Sequence, residues 1–167
     1  MGLGRRSRPA RRGARMIRAA WPRLVFGAAL MLAVLLPGAS RAEAEDASRV
    51  IAIAEDRREA GGALPRYLLS SEAAVRARAA LALGRIQDST SVSLLAPLVA
   101  DRDAGARREA IFALGQIALA HPGSAKLTPA RAPLEHALAA TDSLTQDLAI
   151  EALGKLGDKA STARIAA

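Results

Sequence analysis

The chain has 167 residues, enough for one domain, and only four of them are aromatic. It has no cysteine, which excludes disulfides, thiolate metal sites and thiol nucleophiles. The net charge is +8, but nine of the 24 basic residues lie in the first 42 positions, and the remainder carries 15 basic and 16 acidic groups. A nucleic-acid-binding domain needs a positive surplus on its folded surface, so we predict no nucleic-acid partner.

The first element, residues 1–44, is predicted to be a signal peptide. Residues 5–23 hold eight arginines and no acid, and residues 24–36 form an apolar run of 13. Small side chains allow cleavage after Ala42 or after Ala44, and Met16 is an alternative start. The apolar run is shorter than the ~20 residues that span a bilayer, which disfavours the alternative of a retained anchor. We therefore expect a periplasmic or secreted protein that meets the membrane only through an uncleaved signal segment.

The next element is predicted to be an N-terminal capping helix over residues 46–60. Val50, Ile51 and Ile53 supply its apolar side chains, and a polar stretch that includes Arg57 ends it.

The main signal is a motif, A-x-x-A-L-G-x-[I/L], that occurs at residues 79–86, 110–117 and 149–156. Its glycines are 31 and then 39 residues apart, and self-similarity at such spacing predicts a solenoid. The first, fourth, fifth and eighth positions share one face of a helix. The small residues in that register predict close approach of a neighbouring helix.

Each motif helix has a predicted start signal. Glu72, Asp103 and Asp142 stand in the same register ahead of it, where an acid can cap free N–H groups. Arg76 and Arg107 follow the first two acids by four residues, which predicts ion pairs along one helix.

A shorter apolar stretch precedes each motif helix, so each unit is predicted to be a helical hairpin. Pro65 and Pro133 are predicted at helix starts, and Pro97 is predicted to bend its helix. Residues 121–131 contain two prolines and a glycine and are predicted to form an extended loop.

The paired helices and the recurring motif resemble the bacterial HEAT-like repeats of the phycobilisome-lyase type, over residues 62–167. The resemblance implies an all-α fold, an α-α superhelix of the HEAT/armadillo-like solenoid kind. The last repeat is incomplete in the sequence, which predicts either a fragment or an array that stacks on another chain. Exported arrays of this kind can precede an enzyme domain such as a peptidyl-prolyl isomerase.

We predict no catalytic residue, no cofactor and no metal site. Some HEAT-like proteins, such as deoxyhypusine hydroxylase, hold two iron ions through repeated His-Glu pairs. Here the histidines are His121 and His136, and the only adjacent pair is the reversed Glu135-His136. There is no G-x-S-x-G nucleophile motif and no phosphate-binding glycine loop.

The predicted function is an exported scaffold that binds a protein or peptide. In the shared register, Arg85, Gln116 and Lys155 are expected to align as a polar or basic strip on the concave face. Leu81 and Phe112 align one turn away and complete the predicted binding face. The alternative is that these two side chains pack between neighbouring helices. Two other functions stay open, namely a docking arm for an enzyme domain outside this sequence and a structural spacer in the cell envelope.

Overall fold

The computed structural model describes residues 37–157, with side chains from residue 41 onward. All regular structure within that range is helical, which confirms the all-α prediction. The apolar run of the predicted signal peptide and the start of the incomplete repeat after Gly157 lie outside the described residues. From Gly38 onward the described helices belong to one compact unit.

Seven α-helices follow one another between residues 37 and 157, and the second to seventh form three hairpins. Their bounds are α1 Pro37–Asp56, α2 Leu64–Tyr67, α3 Ala73–Ile86, α4 Val92–Leu95, α5 Ala104–Ala120, α6 Thr128–Ala137 and α7 Ser143–Leu156. Short 3-10 turns at Ser89–Ser91, Ala96–Ala100 and Ala125–Leu127 extend the first helices of the second and third hairpins. The second helices stack in sequence order, since α3 contacts α5 and α5 contacts α7. This arrangement confirms the predicted solenoid of helical hairpins.

The N-terminal helix α1 is longer at its start and shorter at its end than the predicted range 46–60. It includes Ala42 and Ala44, the two predicted cleavage positions, and it ends at Asp56. Beyond that point Arg58 adopts a positive φ of 55°, and the Glu59 N–H donates to the Ala54 carbonyl at 2.9 Å. This left-handed turn is a Schellman-type helix end, and it stops the helix before the predicted boundary.

Burial distinguishes the inner helices of the stack from the outer ones. In α3 and α5 eight residues each are buried, on more than one face, because a second helix lies on either side. In α1 the buried side chains are Ala47, Ile51 and Ala54, which form a single stripe. In α7 the buried residues also form one stripe, which includes Ala149 and Leu153. The second helices of the three hairpins, α3, α5 and α7, form one layer. We call the solvent-accessible side of this layer its open face, and it is available for contacts outside the hairpins.

The motif glycines set the distance between stacked helices. A Cβ added at Gly84 would lie 2.7 Å from the Ala113 Cα, and one added at Gly115 would lie 3.3 Å from the Ala152 Cα. In both cases the glycine lies against the alanine at the fourth position of the next motif. The predicted close approach of the helices is therefore confirmed at both interfaces. At Gly154 no atom lies within 4 Å of the added Cβ among the described residues.

The prolines agree with the sequence only in part. Pro65 stands in the first turn of α2, as predicted. Pro97, predicted to bend its helix, lies in the first turn of the 3-10 segment Ala96–Ala100, directly after α4 ends at Leu95. The prediction for Pro133 is wrong, because it lies inside α6 while Pro129 occupies the first turn. Pro133 is the sixth residue of α6 and has no N–H to donate to the carbonyl of Pro129, so α6 lacks that hydrogen bond.

The predicted extended loop over residues 121–131 is also wrong. Helix α5 continues to Ala120, and a 3-10 turn begins at Ala125, so only four residues connect them. Part of the insertion between the second and third motifs is therefore helical.

Candidate protein-binding face

A ladder of arginines and carboxylates fixes each hairpin turn against the next. The Arg76 guanidinium donates to both carboxylate oxygens of Asp101, each at 2.7 Å, and to the carbonyls of Ser70 and Ser71. Both charged side chains are almost buried, with 7% and 10% of their surface exposed. The hydrogen bond from Arg76 lowers the pKa of Asp101. The predicted pairing of Arg76 with Glu72 is replaced by this bidentate pair between repeats, which is stronger because its geometry is fixed.

The second step of the ladder centres on Asp142. Its carboxylate accepts from Arg108 at 2.9 Å, lies 3.7 Å from Arg107 and accepts from the Thr145 N–H at 2.9 Å. The nearby Thr145 hydroxyl, the Arg108 guanidinium and the hydrogen bond from the Thr145 N–H lower the pKa of Asp142 to about 2. Arg107 therefore also pairs with the next repeat, and its predicted pair with Asp103 is replaced.

The predicted helix caps are confirmed for two of the three acids. Asp103 accepts from the Ala106 N–H at 3.0 Å, and Asp142 caps α7 as described above. Glu72 occupies the N-cap position of α3, but its side chain makes no capping hydrogen bond. The longer side chain of glutamate fits this position less well than aspartate does.

The structure brings Leu81 and Phe112 together on the open face of the second-helix layer. They line a shallow, mostly apolar depression of about 350 Å³ that Leu144 and Leu148 of α7 complete. Both predicted side chains are half-buried, so part of each is accessible and part contacts neighbouring helices. The depression crosses α3, α5 and α7, which the turn ladder holds in fixed register.

The predicted polar strip is not a row of free positive charges. Arg85 donates to Glu55 of α1 at 2.9 Å. Burial raises the pKa of Glu55, but hydrogen bonds from Arg85 and Arg78 outweigh this effect, so the pKa is lowered. Lys155 donates to Glu151 at 2.5 Å within α7. Gln116 is half-buried between them, and its backbone carbonyl accepts from the Gln87 side chain at 3.3 Å. The strip is therefore polar, and both of its cations are already paired.

Sequence reasoning missed Leu144 and Leu148. In the shared register the third motif places Glu151 at the position of Leu81 and Phe112, so the motif alone predicts apolar side chains in only two repeats. The signal was present, because the two leucines are four residues apart on a side of α7 away from the motif stripe. A second apolar stripe on an already amphipathic helix indicates a second contact surface.

The histidines and acids do not converge in the part of the chain that the structure describes. The His121 Nε2 lies 2.7 Å from the Gln87 carbonyl, to which it donates, and so links two turns. His136 lines a separate cavity of about 300 Å³ beside Asp142. Between residues 37 and 157 there is no group of three or more His, Cys, Asp or Glu side chains able to hold a metal ion. No helix in that range is long and apolar enough to cross a membrane.

Comparison with known families decides the family of the stacked hairpins. The family model for HEAT repeats matches residues 28–115, and a second, overlapping match covers residues 62–129. The chain belongs to the HEAT-repeat family. No curated protein matches it. HEAT repeats commonly mediate protein–protein interaction, and this is the coarse function that the family supports.

The HEAT match includes α1 together with the first hairpin and most of the second. It begins at residue 28, within the apolar run of the predicted signal peptide. The third motif lies beyond the matched residues, yet α7 packs on α5 through the same glycine-to-alanine contact. The HEAT array of this chain thus extends through α7.

Proposed function

We propose that this protein is an exported, non-catalytic HEAT-repeat scaffold that binds a protein partner on the open face of its second-helix layer. The observation that carries the proposal is the apolar depression formed by Leu81, Phe112, Leu144 and Leu148. Four large apolar side chains from three consecutive second helices share one accessible surface. Apolar patches of this kind on a soluble array are typical of binding surfaces.

The rigidity of the array supports binding by a preformed surface. Glycine-to-alanine contacts and the Arg76–Asp101 pair hold α3, α5 and α7 in register. A partner therefore meets a surface that loses little conformational freedom on association, which favours affinity.

Export is supported by the order of the N-terminal segment, in which a basic region precedes an apolar run and small residues at Ala42 and Ala44. Both positions lie in the first half of α1, before the first fully buried turn at Ala47 and Ile51. Cleavage at either position would leave the buried stripe of α1 intact. Intact-mass analysis of the product from its native host tests this, and a mass that retains residues 24–36 contradicts processing. Assignment to the phycobilisome-lyase subtype of HEAT repeats rests on the motif alone and is part of this proposal.

Binding is tested by site-specific photo-crosslinking in the native host. A photoreactive phenylalanine analogue replaces Phe112 in one variant and Leu69 in a matched control. Leu69 is 83% exposed and lies on the turn after α2, away from the depression. We expect a discrete crosslinked product from position 112 that is absent from position 69. The same products from both positions, or none from position 112, would remove the depression as the binding surface.

A further inference from the structure

The charges around the depression carry information about the partner that its apolar floor does not. Arg108, which lines the depression, is paired with Asp142 at 2.9 Å. Glu151 and Lys155, at the α5–α7 border of the same surface, are paired with each other. Both of these cations, Arg108 and Lys155, are therefore already paired with carboxylates of the protein itself.

Two carboxylates, one lining the depression and one near it, have no such partner among the residues that the structure describes. Glu109 lines it and is half-buried, and it makes no ion pair or side-chain hydrogen bond with any residue that the structure describes. Asp147 is exposed on α7, three residues after Leu144 and therefore on the neighbouring turn of the same side. It likewise has no partner between residues 37 and 157. The surface thus combines an apolar floor with carboxylates, Glu109 and Asp147, that no described residue pairs.

We infer that the partner segment carries apolar anchor side chains flanked by lysine or arginine. The inference rests on the proposed function and specifies the chemistry of its partner. The apolar anchors fill the depression between Phe112 and Leu148, and the flanking cations pair with Glu109 and Asp147. A half-buried carboxylate beside an apolar floor would lose water when covered, so an acidic partner would bury like charges together. The same sign of charge repels phosphate, which makes a nucleic acid or an anionic lipid surface a poor occupant.

The test uses three fluorescein-labelled peptides in fluorescence polarisation with the whole protein. The first has two leucines flanked by lysines, the second has glutamates in place of the lysines, and the third has serines in place of the leucines. At about 0.01 M salt we expect the leucine–lysine peptide to bind about tenfold more tightly than either of the others. The gap between the lysine and glutamate peptides should close at about 1 M salt, where the Debye length is about 3 Å.

Paired variants locate the effect. Glu109→Gln combined with Asp147→Asn should remove the preference for lysine over glutamate while the leucines still matter. Asp56→Asn combined with Glu59→Gln makes the same charge change at exposed positions on α1 and the turn after it, and should leave the preference unchanged. Far-UV circular dichroism checks that both double variants are folded.

Three results would overturn the inference. Equal affinity for the lysine and glutamate peptides would show that these carboxylates do not select charge, although the apolar surface could still bind. Equal affinity for the leucine–lysine peptide and the serine peptide would show that the lysines alone account for binding and that the leucines do not occupy the depression. All three peptides could fail to bind while the photoreactive analogue at position 112 still crosslinks to a partner. That result would show that the surface binds a partner of other chemistry.

Discussion

The three motif glycines allow one substitution to be made in three different environments. Alanine is better than glycine in a helix interior by about 1 kcal/mol, so Gly→Ala is stabilising wherever the added methyl group has space. At Gly154 no described atom lies within 4 Å of the new Cβ. We therefore expect Gly154→Ala to raise the free energy of unfolding by up to about 1 kcal/mol.

At Gly84 the same change meets the neighbouring backbone. The new Cβ would lie 2.7 Å from the Ala113 Cα and 2.8 Å from its Cβ, so α3 and α5 must move apart. Overpacking of a close-packed interface costs about 1–3 kcal/mol. After the gain in helix propensity is subtracted, we expect Gly84→Ala to lower the free energy of unfolding by up to about 2 kcal/mol. Gly115→Ala, at 3.3 Å from Ala152, should fall between the other two.

The assay is denaturant unfolding of the three variants and the unsubstituted protein, followed by far-UV circular dichroism. The expected order of stability is Gly154→Ala, then Gly115→Ala, then Gly84→Ala, with about 1–3 kcal/mol between the extremes. The helix-propensity gain is common to all three variants, so the differences report the interfaces. If Gly84→Ala is as stable as Gly154→Ala, the glycines do not serve helix contact and the packing argument fails.

Three further predictions concern the ladder and the core. Arg76→Ala leaves the Asp101 carboxylate buried without its partner and should lower the free energy of unfolding by about 3–5 kcal/mol. A loss below about 1 kcal/mol in denaturant unfolding would mean that the pair contributes no more than an exposed surface pair. The pKa of Asp142 is lowered to about 2 in the folded state, so its stabilising effect is complete above the ordinary value of 3.8 and disappears as the pH falls towards 2. Unfolding measured at a series of pH values should show this decline, and Asp142→Asn should make it shallower; an unchanged slope would contradict the role of that carboxylate. Ile111→Ala should cost about 2–5 kcal/mol because the side chain is fully buried, whereas Ile150→Ala, at the equivalent position but 40% exposed, should cost less; equal losses in thermal unfolding would refute the distinction between inner and outer helices.

The stacked hairpins were predictable because the signal is local and repeated. The spacing of Ala79, Leu83 and Ile86 fixes one helix face, and the structure buries all three. Each further copy of the motif is independent evidence for the same arrangement. The helix-capping aspartates were predictable for the same reason, since a cap acts within three residues of its own position.

The partners of the arginines were not predictable from spacing. Glu72 is four residues from Arg76 in sequence, yet Asp101, 25 residues away, receives the guanidinium. The choice depends on the stacking distance between hairpins, which brings Asp101 into a nearly buried position where a bidentate pair gains more than an exposed one. Likewise Leu144 and Leu148 line the same depression as Leu81 and Phe112 only because α7 is stacked beside α5. A local sequence pattern does not predict which side chains of two stacked helices lie next to each other.

The third copy of the motif shows why residue identity and burial must be argued separately. Ile111 and Gly115 of α5 are covered by α7, whereas their equivalents Ile150 and Gly154 are exposed in the part of the chain that the structure describes. The motif therefore specifies the small and apolar surface that a second helix presents to the next one. Whether that surface is buried depends on the presence of the neighbouring helix. The proposed binding face follows another rule, because its leucines on α7 lie outside the motif. A substitution there is expected to change binding without disturbing the stack, and such a separation would allow a repeat array to keep its fold while its partners differ.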